Sequence, residues 1–278
     1  MTPINDIRCT LGEGPLWHPA RAEFFWFDIL GCKLHSLKQT WTFDEYVSAA
    51  GWVDRDTLLV ASESRLFVLD LETGSQRDLC ALEADNKITR SNDGRADPQG
   101  GFWIGTMGKR AEHGAGAIWR WYRGELRKLF AGISISNAIS FAPDGRTACF
   151  ADTPTRRIMR VGLDAQGWPV GTPECWLDLN ADGYNPDGAV FDAAGNFWLA
   201  QWGAGRVACY GPDGAFLRAV SFPASHTSCP AFGGPDLTDL YCTTAREGHA
   251  TPTPLDGATF CARDAGKGQT EYAVVLDA

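Results

Sequence analysis

Asp97-Pro98-Gln99-Gly100-Gly101-Phe102-Trp103-Ile104 decides the fold: a turn tetrapeptide runs directly into a short apolar strand with an aromatic centre. The strand recurs as Phe24-Phe25-Trp26-Phe27, Thr57-Leu58-Leu59-Val60, Ala148-Cys149-Phe150-Ala151, Asn196-Phe197-Trp198-Leu199 and Asp239-Leu240-Tyr241-Cys242. Most copies follow a turn signal, as in Pro143-Asp144-Gly145 and Ala194-Gly195-Asn196. Successive copies lie roughly 35 to 50 residues apart, the spacing of four-stranded propeller blades. Further strands, such as Ile158-Met159-Arg160-Val161 and Val207-Ala208-Cys209-Tyr210, precede second turns, and no segment sustains a helical period. The repeat predicts an all-β chain: a six-bladed β-propeller of four-stranded antiparallel blades around a central channel, with residues 1–278 as a single domain. Tyr272-Ala273-Val274-Val275-Leu276 reads as a strand expected to pair in the blade begun by the N-terminal residues and close the ring. The Pro-rich stretch Thr251–Gly257 reads as a loop between blades.

Composition narrows the function classes. A formal net charge of −9 with no Lys/Arg cluster argues against nucleic-acid binding. No apolar run is long enough to span a bilayer, and Met1-Thr2-Pro3-Ile4-Asn5-Asp6 lacks the basic start and apolar run of a secretory signal. The nine cysteines are odd in number and have no CxxC spacing, which fits buried free thiols. The expectation is a cytoplasmic protein, monomer or weak dimer, with no nucleic-acid or membrane partner.

The repeat phase also selects a site. Blade one opens with Gly12-Glu13-Gly14-Pro15, blade three with Ser91-Asn92-Asp93-Gly94, blade four with Ser136-Asn137-Ala138 and blade five with Pro186-Asp187-Gly188. Glu13, Asn92, Asn137 and Asp187 each stand six positions before the turn. One phase in each blade means one radius and height around the axis, so these side chains should converge at one mouth of the channel. Two carboxylates and two carboxamides make a hard oxygen site suited to a divalent cation. Blade six offers Cys229 at this phase and blade two only Ala49. Asn-Asp-Gly and Pro-Asp-Gly are ordinary turn tripeptides taken singly, and it is the shared phase that sets these copies apart. The five histidines show no HxxH or HExxH spacing, and the chain has no GxSxG elbow and no Walker loop.

These motifs, with Gly105-Thr106-Met107 and Thr227-Ser228-Cys229, resemble the SMP-30/gluconolactonase/regucalcin family of six-bladed propellers from Leu11 to about Ala245. The resemblance implies that Glu13, Asn137 and Asp187 are metal ligands, and that Asn92 lines the site. It further implies substrate-binding roles for Arg90, two positions before Asn92, and for Glu112. Ala138 departs from the pattern, where Gly often follows the Asn. The implied activity is metal-dependent hydrolysis of a sugar lactone to the aldonic acid, with Asp187 as the catalytic proton acceptor. The cofactor would be one divalent ion, Ca²⁺, Zn²⁺, Mn²⁺, Mg²⁺ or Fe²⁺. Two alternatives stay open: a calcium-binding regulatory propeller without catalysis, and an organophosphate or ester hydrolase.

Overall fold

The structure is a computed structural model and describes residues 1–276. The six strands recognised in the sequence are each the second strand of a blade: Glu23–Asp28, Thr57–Ser62, Phe102–Gly108, Thr147–Asp152, Phe197–Trp202 and Asp239–Thr244. Each pairs antiparallel with an innermost strand: Gly12–His18, Val47–Trp52, Thr89–Ala96, Ser136–Phe141, Asn185–Phe191 and Thr227–Gly233. Innermost strands pack against one another in sequence, and the sixth returns to the first. The result is a six-bladed β-propeller.

The second strands are continuous apolar runs because both their faces are covered. Six apolar clusters, one between each pair of neighbouring blades, form the core. Trp103 fills one of them, packing edge-on to Phe141 with ring centroids 5.4 Å apart. Outer strands such as Gln76–Ala81 and Phe216–Ser221 are largely exposed.

Ring closure differs from the expectation. Blade six has three strands of its own, Thr227–Gly233, Asp239–Thr244 and Phe260–Ala262. Pro3 bridges to Phe260 on its outer edge, and the Ile4 amide donates to the Thr259 carbonyl at 2.9 Å. The N-terminal segment therefore supplies the outermost strand position of the last blade. Tyr272–Leu276 forms no strand. Residues 265–276 instead run as a strap across the C-terminal ends of the innermost strands. Strap amides donate one by one to separate blades: Gly268 to Leu237, Val274 to Trp52 and Val275 to Gly100, at 2.7, 2.8 and 2.9 Å. Val274 inserts into the cluster between blades two and three, where Gly51 leaves room for its methyl group. Thr251–Gly257 likewise lies within blade six, between its second and third strands, rather than between blades.

The strap also neutralises a buried charge. Glu271 pairs with Arg95, whose guanidinium lies inside the channel, and the two side chains are 8% and 10% exposed. Removing the carboxylate would strand a buried cation, at a cost of about 3 kcal/mol or more. Glu271→Ala is expected to lower unfolding free energy by that amount in urea titration, with the m-value unchanged; a loss under about 1 kcal/mol would deny the strap this role.

Candidate active site at the channel mouth

A common device sets the site. In every innermost strand the pairing with the second strand slips at the same place: Glu13/Leu16, Val47/Ala49, Asn137/Ser140, Pro186/Ala189, Thr227/Pro230, and in blade three opposite Ile104/Thr106. Such bulges re-aim side chains, and here they fall where Glu13, Asn92, Asn137 and Asp187 stand. Gly14 and Ala138, which follow two of these residues, have φ of 51° and 57°. Glycine reaches that region freely, whereas Ala138 holds it against the penalty on a Cβ.

Polar contacts then step from blade to blade. Ser48 Oγ donates to Ser91 Oγ at 2.8 Å, joining blades two and three. Asn92 Nδ2 donates to the Ser136 carbonyl at 2.8 Å and to Asn137 Oδ1 at 3.2 Å, joining blades three and four. Asn137 Nδ2 donates to Thr153 Oγ1 at 2.9 Å, and that hydroxyl donates to the Pro186 carbonyl at 2.8 Å, reaching blade five. One hydrogen of the Asn137 amide thus points at Thr153, which fixes the amide's orientation, and its oxygen keeps lone-pair capacity beyond the bond from Asn92. Nothing in the sequence around Thr153 signals this part. Its role comes from a 3₁₀ turn, Thr153–Thr155, that carries it over blade five.

Glu13, Arg90, Asn92, Asn137 and Asp187 all line one cavity of about 410 Å³ at the channel mouth, and none is more than 5% exposed. Glu112 does not line it. Its carboxylate folds back to accept the Arg110 amide at 3.0 Å, holding the turn after the second strand of blade three. The sequence also gave no warning of Trp202, at the end of a second strand, or of Lys109, Arg110 and Glu247, which complete the walls from loops whose places only the ring determines.

The floor is electrostatically costly. Burial raises the Glu13 carboxyl from its ordinary 4.5 to about 8, with the nearby Asp93 charge adding to the effect. Burial and the Glu13 charge push Asp187 well above the ordinary range. Asp93, one layer deeper, is raised to about 6 by burial and accepts the Ile139 amide at 2.6 Å. Cys229 stands at the same phase in blade six, packed against Gly188, and burial raises its thiol too, so it remains protonated. Among the described residues no three His, Cys, Asp or Glu side chains converge as a metal-binding group. The donor set is instead two mutually repelling carboxylates and one oriented carboxamide oxygen. These fit a hard divalent cation, which would relieve the repulsion.

The chain matches the model of the SMP-30/Gluconolactonase/LRE-like region over residues 11–246. It is 34% identical to the 6-deoxy-6-sulfogluconolactonase of Pseudomonas putida, across 91% of each chain. It is 32% identical to the L-arabinolactonase of Azospirillum brasilense, across 98% of this chain and 95% of that one. The crystal structure of a calcium-binding protein, regucalcin, from Agrobacterium tumefaciens superposes with a TM-score of 0.95 at 40% identity, across 99% and 97% of the two chains.

The raised carboxyls fix the sign of a pH effect. As pH climbs from the unfolded values near 4 towards the raised folded ones, the unfolded chain releases protons first, so cation-free protein loses stability. For Glu13 the window runs from about 4.5 to about 8. Chelator-treated protein is expected to melt at a lower temperature at pH 8 than at pH 5, and Glu13→Gln to flatten that slope. A melting temperature that rises across this window contradicts the electrostatics described.

Proposed function

The chain belongs to the SMP-30/gluconolactonase/LRE-like family, and on that premise we propose that it hydrolyses a sugar lactone to the aldonic acid, with the six blades working as one domain. The observation that carries this reading is the convergence of Glu13, Arg90, Asn92, Asn137 and Asp187 on one cavity large enough for a sugar ring. Glu13, Asp187 and Asn137 would hold one divalent cation. When bound it would polarise the lactone carbonyl and lower the pKa of an attacking water. Calcium, magnesium, manganese, zinc and iron all suit such a site in charge.

The chain's own groups supply the rest. Asp187 accepts the proton as the water oxygen bonds to the carbonyl carbon, then returns it to the ring oxygen as the acyl C–O bond breaks. This requires Asp187 ionised, and a cation held there would lower its raised pKa. Glu13 stays a charged ligand, braced by the Gly14 amide at 3.0 Å. Asn92 holds the oxygen of Asn137 in place, and Arg90 Nη1 holds Asn92 Oδ1 at 2.7 Å. The rest of the Arg90 guanidinium orients sugar oxygens. Glu112 acts on the substrate through the turn it secures.

A propeller that only stored calcium would need the three cation ligands and nothing more. The walled cavity and the buried guanidinium favour an organic ligand. Polar groups on the wall, Arg90 and Asn92, that can bond sugar hydroxyls also favour a lactone over a phosphotriester or simple ester. Nine cysteines, all free thiols in the structure, support a cytoplasmic setting.

The test is a pH-stat assay on aldonolactones with divalent cations supplied. Asp187→Asn is expected to cost about 10³-fold or more in kcat while the protein stays folded. Near-normal turnover in that variant would remove the assigned role, and turnover untouched by chelation would remove the cation from it.

A further inference from the structure

The walls above the carboxylate floor are unevenly charged. Arg90, Lys109 and Arg110 line the cavity on the side of blade three, and the one acid among the described lining residues above the floor is Glu247, whose charge reaches Arg90. The three cations are brought together by sheet register. Arg90 pairs across the sheet with Met107, and the second strand of blade three ends one residue later, at Gly108, directly before Lys109 and Arg110.

Two of the three cations form no ion pair among the described residues. Arg90 is 5% exposed, its hydrogen bonds run from Nη1 to the Ser91 carbonyl and Asn92 Oδ1, and it forms no ion pair among the described residues. Arg110 likewise has no ion-pair partner among those residues. Lys109 reaches Glu63 at 3.3 Å and stands 5.8 Å from the centre of the Tyr46 ring. The charges of Glu247, Glu13 and Asp187 reach Arg90 without a direct ion pair, which leaves guanidinium donors free for a ligand.

The turn carrying the outer two cations is built to hold its shape. The Lys109 amide donates to the Ile88 carbonyl at 2.7 Å and the Arg110 amide to the Glu112 carboxylate at 3.0 Å. Ala111 completes it with φ of 57°, and its amide donates to Gly108 at 2.8 Å. Opposite, Trp202 is braced from behind by a stack of rings, with His226 at 4.3 Å and His249 a further 3.8 Å on. The cavity is therefore aromatic on one side and cationic on the other.

We infer that the preferred substrate is a sugar lactone bearing a second, anionic group on the carbon farthest from its carbonyl. This rests on the lactonase reading and adds to it. The lactone carbonyl lies towards the floor, the sugar's apolar face against Trp202, and the anionic group between Lys109 and Arg110. Planar guanidinium donors suit a phosphate, sulfonate or carboxylate alike, so the shared feature is a multi-oxygen anion.

The experiment compares kcat/KM on D-glucono-1,5-lactone with the same lactone carrying a phosphate or a sulfonate at carbon six, in wild type and in K109M/R110M. Wild type is expected to favour at least one anionic lactone by about tenfold, as two partly exposed charge pairs allow. The double variant should lose most of that ratio, and raising salt to about 0.5 M should erode the wild-type ratio through screening. Preference for both anions identifies a general anion pocket, and preference for one names the substituent. A wild-type ratio at or below one, or a ratio that survives both the double variant and salt, overturns the inference while leaving the lactonase reading standing. Failure to hydrolyse any of the lactones overturns both.

Discussion

No blade of this propeller has a core of its own. Each sheet is covered on both faces by its neighbours, so the apolar clusters lie between blades, and a gap at any junction would open the cluster there to water. Everything else depends on closure. The chain secures it twice, by lending Pro3 and Ile4 to the edge of the last blade and by drawing residues 265–276 across one end of the channel. The strap fastens four blades through scattered backbone bonds and a fifth through the Gln269 side chain, and meets the buried Arg95 with Glu271. That end is sealed, and the other is left for chemistry.

A rigid ring permits what a flexible surface would not. Glu13 and Asp187 are held together away from water, against their own repulsion, with Asp93 adding charge from below. Left alone such groups take up protons; the fold tolerates them because six bulged strands and a chain of hydrogen bonds fix their positions. Asn137 shows the degree of control, since Thr153 and Asn92 together orient its amide. The same rigidity costs strain at Ala138, which adopts a left-handed conformation to preserve the bulge.

Much of this was legible in the chain. The spacing of strands such as Gly101-Phe102-Trp103-Ile104 gave the blade count, because a strand buried on both faces must be apolar throughout and the pattern must return once per blade. The position six residues before each turn gave Glu13, Asn92, Asn137 and Asp187, because a repeat maps phase onto radius and height. Where the repeat stopped, so did the reading. Val274-Val275-Leu276 has the composition of a strand, yet its amides find carbonyls on different blades. Glu112 was read as facing substrate, yet its carboxylate finds a nearer donor in the Arg110 amide.

The sequence by itself determined the architecture and the ring of oxygen-bearing side chains, since both follow from periodic patterns of local chemistry. Tertiary structure alone decided how the ring closes, which way the Asn137 amide faces, and which loop residues wall the cavity. These depend on contacts between segments far apart in the chain, as between Asn137, Thr153 and Pro186 or between Arg95 and Glu271, and no local pattern encodes them. Glu13, Asn137 and Asp187 thus belong to the repeat, whereas Lys109, Arg110 and Glu247 belong to the irregular loops, which the closed ring gathers at one mouth.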